Sequence, residues 1–102
     1  MAIKNANVTT VATSIYTSSG NSAITTIHLC NYSASAVSAN IYVVPAGFTA
    51  NTINMIYCNQ QITTTTTYII DSEKLILSNG DAIFANVTAN VSVGATISYI
   101  GI

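Results

Sequence analysis

His28 and Cys30 stand two residues apart in "IHLCNY", the spacing that puts both side chains on one face of a strand. An imidazole beside a thiol is the start of a nucleophilic pair or of a metal site. A structural zinc site needs four ligands, and the only other soft donor is Cys58. No CxxC spacing supports it, so buried apolar cysteines and a hydrogen-bonded histidine are the simpler expectation. Cys30 and Cys58 would bridge only if their strands faced one another in an oxidising compartment, and two free thiols are expected.

The carboxylates are three: Asp71, Glu73 and Asp81. A glycosidase pair would have to come from among them, but each adjoins a turn, where Asp fixes the backbone through its own side chain. "SNGD" at Ser78 to Asp81 lacks the several acids of a calcium loop. Asn-X-Ser/Thr triplets begin at Asn7, Asn31, Asn86 and Asn90, a number chance supplies in so Asn-, Ser- and Thr-rich a chain. Six tyrosines and two phenylalanines offer stacking surfaces for sugars or anchors for a protein partner, or simply fill the core and strand faces. The inventory completes no catalytic, cofactor-binding or metal site, and a protein that is not an enzyme is expected.

The elements that carry these residues follow from composition. The chain has 102 residues, one domain's worth, with 50% apolar and only 5% charged residues, against about 25% charged in an ordinary soluble domain. Lys4 and Lys74 are its only cations and the net charge is −1, which leaves nothing to bind nucleic acid or anionic lipid. No window approaches the roughly 20 apolar residues of a membrane helix. "MAIKNANVTT" lacks the apolar stretch of a secretory signal, so the protein is expected to stay where it is made.

Alternation of apolar and polar residues predicts strands throughout. Val8 to Tyr16 reads as the first, with residues 1–7 as an N-terminal arm. "SAITTIHLCNY" is the second and "VSANIYVV" the third, ended by Pro45. "TINMIYC" and "QQITTTTTYII" read as two more, the threonine run being strand or a strand-to-strand crossing because β-branched residues are stiff. "DSEK" suits one helical turn. "LIL" and "AIFANV" flank Asn79-Gly80, a hairpin signal of type I′, and "VSVGATISYIGI" follows a link at Ala89 and Asn90. About seven to eight antiparallel strands without a durable helix predict an all-β fold, a single β-sandwich of Ig-like or small jelly-roll form. Ile27, Leu29, Val37, Ile41, Val43, Ile83 and Val87 are the expected core.

The order of several pieces resembles small virion structural proteins of tailed phages, cyanophages in particular. The pieces are "IYT", a strand ending "LCN", "VSANIYVVPAG", "LILSNGD" and a C-terminal "ISYIG", and together they cover most of the chain. The resemblance implies a virion protein made in the host cytoplasm, most simply a capsid decoration or cement protein that binds the major capsid protein or other virion proteins. A neck, tail or fibre accessory module that contacts host glycans is the alternative. The resemblance also implies a homo-oligomer, a trimer by preference, and self-association is expected independently from the charge deficit. A lone domain stays dispersed through net charge, which this one lacks.

Overall fold

In the run Val37 to Ile41 the pleat turns sequence alternation into one buried face. Val37, Ala39 and Ile41 are buried, while Ser38 and Asn40 are half-exposed. The computed structural model describes residues 2–70, 75–88 and 93–102, and these are strand, turn and loop. Nine strands follow in order: β1 (Ala2–Val8), β2 (Thr13–Thr17), β3 (Ser22–Asn31), β4 (Val37–Val44), β5 (Met55–Ile62), β6 (Thr66–Ile70), β7 (Leu75–Leu77), β8 (Ala82–Val87) and β9 (Val93–Gly101).

They make two antiparallel sheets packed as a sandwich. The first has the order β1-β9-β3-β6, with β7 also on β3; the second has the order β2-β8-β4-β5. β6 lies against the Asn31 half of β3 and β7 against its Ser22 half, so the two share one position in the sheet. Taken together they reduce the set to eight positions. Pairing then joins first with last, second with seventh, third with sixth and fourth with fifth, as in a long ribbon folded over itself. That is jelly-roll topology rather than Ig-like.

Between the sheets lie Ile15, Ile24, Ile27, Leu29, Ile41, Ile83 and Ile97, all buried, each stabilising the fold by about 1.5 to 3 kcal/mol relative to exposure. Of the expected core, Ile27, Leu29, Val37, Ile41, Ile83 and Val87 are buried and Val43 packs half-buried against them. Ile15 and Tyr16 both point inward because the register of β2 on β8 shifts between Ser14 and Tyr16, the bulge placing two successive side chains on one side.

Several local expectations are corrected. Residues 2–8 are not an arm but an edge strand, with seven successive pairs from Ala2 opposite Tyr99 to Val8 opposite Val93. The first expected run breaks after Val8, where the Thr9 hydroxyl donates to the Val11 carbonyl and accepts from the Val11 N–H, a local turn that competes with the ladder. The strands expected at 52–58 and 60–70 are divided elsewhere. β5 runs through Asn59, whose φ of 54° makes a bulge and not an end, and the crossing is Thr63 to Thr65, with Thr65 at φ 53°. Asn79-Gly80 does not close a hairpin: β7 pairs in the first sheet and β8 in the second. Only Gly80 has positive φ, 90°, so the turn is of type II form and carries the chain between sheets. The helical turn expected at "DSEK" and the link at Ala89 and Asn90 lie outside the described residues.

Candidate interaction surface

His28 and Cys30 do share a face, the outer one of the first sheet. Their cross-strand neighbours are Thr96 and Ile69 for His28, and Gly94 and Thr67 for Cys30. No acid or second thiol stands among them. Cys58 lies on β5 of the other sheet, and both cysteines are exposed and free, which corrects the expectation that they are buried. No group of three His, Cys, Asp or Glu side chains converges among the described residues. Asp81 is a turn clamp: its carboxylate accepts from the Ala46 N–H at 3.0 Å and the Ser78 N–H at 2.9 Å. Asp71 and Glu73 lie outside the described residues.

Buried polar side chains serve the fold. Tyr16 OH, Ser22 Oγ and Ser18 Oγ form a chain with 2.8 Å links. Ser18 donates onward to the Gly20 carbonyl, which leaves Ser22 to donate to Ser18 and Tyr16 to Ser22. Among the described residues no base is hydrogen-bonded to these hydroxyls to make one a nucleophile. Asn31, fully buried, donates to the carbonyls of Ser35, Ile62 and Thr63 and accepts from the N–H and hydroxyl of Ser33. Its triplet is therefore a structural tie. Asn7 is exposed, Asn86 is half-buried in hydrogen bonds from Asn40 and Tyr42, and Asn90 lies outside the described residues.

The aromatic rings divide as well. Tyr16 and Tyr42 are buried, Tyr16 packs against Tyr99 with ring centroids 4.6 Å apart and planes tilted by 42°, and Tyr57, Tyr68, Phe84 and Tyr99 are half-buried. Only Tyr32 and Phe48 are exposed.

What remains to meet a partner is apolar and lies mostly at one end of the sandwich. Turn 18–21, loop 45–54 and turn 78–81 gather there, beside the start of β1 and the end of β9. Of the ten large apolar side chains exposed among the described residues, Phe48, Ile53, Ile56, Ile76, Ile100 and Ile102 stand at or near this end. The opposite end, with loops 9–12, 32–36 and 63–65, shows Thr, Ser, Ala, Val11 and Tyr32.

The apolar end is built rather than loose. Ser18 N–H donates to Asp81 O, Gly80 N–H to Ser18 O, Gly20 N–H to the Asn79 side chain and Ala46 N–H to Asp81, which ties the three loops together. Within loop 45–54, the Asn51 side chain accepts from the Ile53 N–H and the Asn54 side chain accepts from the Asn51 N–H. Both amides also donate to the Thr49 carbonyl. The loop is thus held by its own hydrogen bonds while leaving Ile53 at 92% and Phe48 at 68% exposure. A groove of about 420 Å³ runs between them, lined also by Val43, Pro45 and Met55. Sequence reasoning missed this end because "PAGFTAN" reads only as a loop after a strand, and the display of Phe48 and Ile53 depends on how the Asn side chains turn. Against family models, curated proteins and solved structures, nothing matches the chain.

Proposed function

We propose that this chain is a virion structural protein of a tailed phage, of the capsid-decoration or cement type, which attaches to another virion protein through its apolar loop end. The observation that carries the reading is Ile53 and Phe48, held out to solvent on a self-bonded loop beside an apolar groove. Side chains so exposed stabilise nothing in the isolated domain, and a preformed loop gives up little entropy on docking. Asp81, in the turn at this end, is held by the Ala46 and Ser78 N–H groups, and the exposed Phe48 and Ile53 suit an apolar, uncharged recess on the partner. Jelly rolls recur in capsid proteins, an analogy of fold.

The end is small. The two lesser dimensions of the molecule are 27 and 20 Å, an ellipse of about 400 Å², half the ~800 Å² per partner of a stable interface. Firm attachment therefore needs several linked copies binding at once, which agrees with a homo-oligomer. The test is to replace Phe48 and Ile53 together by Ser. The fold should be retained, with a melting temperature within about 2 °C, because neither side chain packs in the core. Incorporation into particles, followed by mass spectrometry of purified virions and by density in a particle map, should fall at least tenfold. Undiminished incorporation would reject the reading.

A second reading, a tail, neck or fibre module that binds host glycans, has one observation in its favour. The exposed Tyr32 ring stands at a depression of about 450 Å³ lined also by Gly94, Asn5, Asn7 and Thr96. An aromatic face beside amides suits a neutral sugar. Titration with neutral oligosaccharides, with Tyr32→Ala as the control, tests it.

A further inference from the structure

We propose that the outer face of the first sheet is where two copies of this chain pair, face to face, about a two-fold axis. The inference rests on the homo-oligomer reading above and names the surface that makes it.

The register sets out the face row by row. Ile100, Ala23 and Ile76 lie side by side across β9, β3 and β7. Below them come Ile3, Ser98 and Thr26, then Asn5, Thr96, His28 and Ile69, then Asn7, Gly94, Cys30 and Thr67. None of these side chains is an acid, a lysine or an arginine, and four exposed isoleucines stand on the face. Outer faces of sandwiches are ordinarily their polar, solvated side. Among the described residues the face thus presents no carboxylate or ammonium group to repel a copy of itself or to be left unpaired on burial, so the same face on a second chain is the partner that matches it.

On this face Thr96 Oγ1 donates to Asn5 Oδ1 and leaves the isoleucines exposed, whereas on the outer face of the second sheet side chains bond to one another and the large apolar groups beside them are buried. The Asn40 amide and the Tyr42 hydroxyl donate to Asn86 Oδ1, and the Asn59 N–H donates to Asn40 Oδ1. Tyr42, Val44 and Ala82 are buried there although they lie outside the central core. Among the described residues nothing of that kind covers Ile76 or Ile100, and size favours a broad sheet face over the loop end. The two larger dimensions of the molecule, 38 and 27 Å, bound an ellipse of about 800 Å², the area each partner contributes to a stable interface. A face that packs on itself gives an isologous pair, hence a dimer rather than the trimer the resemblance implies. It would also cover the Tyr32 depression, so the glycan reading and this inference exclude each other.

The chain carries its own reporters. Cys30 lies in the face and Cys58 on β5 of the other sheet, both are exposed, and there are no other cysteines. The unmodified chain is titrated with an aromatic disulfide reagent at sub-micromolar and at about 100 μM protein, beside sedimentation at the same concentrations. Pairing through this face predicts a dimer at the higher concentration, with Cys30 slowed at least tenfold and Cys58 unchanged. Thr26→Lys should return the monomer and restore Cys30 reactivity; Ile76→Lys, on a side chain already 67% exposed, serves if Thr26→Lys does not fold. Gln61→Lys, on the exposed part of β5, should leave the dimer intact. An oligomer in which Cys30 still reacts freely overturns this face while keeping the homo-oligomer. A monomer throughout overturns both, and leaves docking at the loop end to the separate test with Phe48 and Ile53.

Discussion

Asn31 holds five hydrogen bonds from a position with no exposed surface, and it joins the loop after β3 to the crossing between β5 and β6. Removing a buried partner leaves the others unpaired, at roughly 1 to 3 kcal/mol for each group that water cannot reach. Asn31→Ala is therefore expected to cost about 3 kcal/mol and to lower the melting temperature by roughly 10 to 20 °C in a domain of this size. Asn31→Asp should add a dependence on pH. Its carboxyl would face three carbonyl oxygens, so the neutral form is favoured in the folded state and the folded pKa lies above the unfolded value of about 4. Such a group binds more protons when folded, so stability falls as pH rises from about 4 toward that folded pKa. A melting series from pH 4 to pH 7 checks the sign. In the sequence, Asn31 was visible only as one of four like triplets, because nothing local distinguishes an amide that points inward from one that points out.

Elements were legible where the chain's own chemistry decides them. β3, β4 and β8 coincide with runs whose apolar phase and β-branched content agree, and Pro45 ends β4 where proline must. β1 was not legible, since Lys, Asn and Ala favour no strand and the pairing that makes it one comes from β9, about 90 residues away. The turn at Asn79-Gly80 lies between these cases: its position was plain, its partner strands were not. Gly80 combines positive φ with a close approach, because a Cβ added there would stand 2.9 Å from Ala46 Cβ. Gly47 has a φ of 83° and open space around its Cβ position. Gly47→Ala should therefore pay the backbone term alone, about 1 to 2 kcal/mol, and Gly80→Ala should exceed it by about 1 kcal/mol. In an Ala46→Gly background the two costs should become equal. Denaturant unfolding of the three single variants and of each Gly→Ala change in the Ala46→Gly background separates strain from contact.

At the scale of the molecule, five charged residues in 102 decide how copies meet. Contacts made of apolar, amide and hydroxyl groups are insensitive to screening, so self-association at tens of micromolar should persist at ~1 M salt, where the Debye length is about 3 Å. An oligomer that dissolves as salt is added would show that the few charges hold it, against the composition. The sandwich and its all-β class were readable from alternation and turn chemistry. The choice of jelly roll over Ig-like was not, because strand order depends on which distant edges meet.

The position of β9 has a consequence in time. Of the nine strands it is the last to be synthesised, yet it lies between β1 and β3 and pairs with both along most of its length. Until it emerges, β1 has no neighbour in its sheet and one side of β3 is open, for roughly 5 to 20 s at ordinary rates of synthesis. Those waiting strands have almost no charge to keep nascent chains apart. Folding must then be a late, nearly concerted event, and refolding from denaturant is expected on the millisecond-to-second scale of non-local β topologies. A chain stopped after Thr88 should show no cooperative unfolding and should aggregate, and supplying residues 89–102 as a separate peptide should restore the transition.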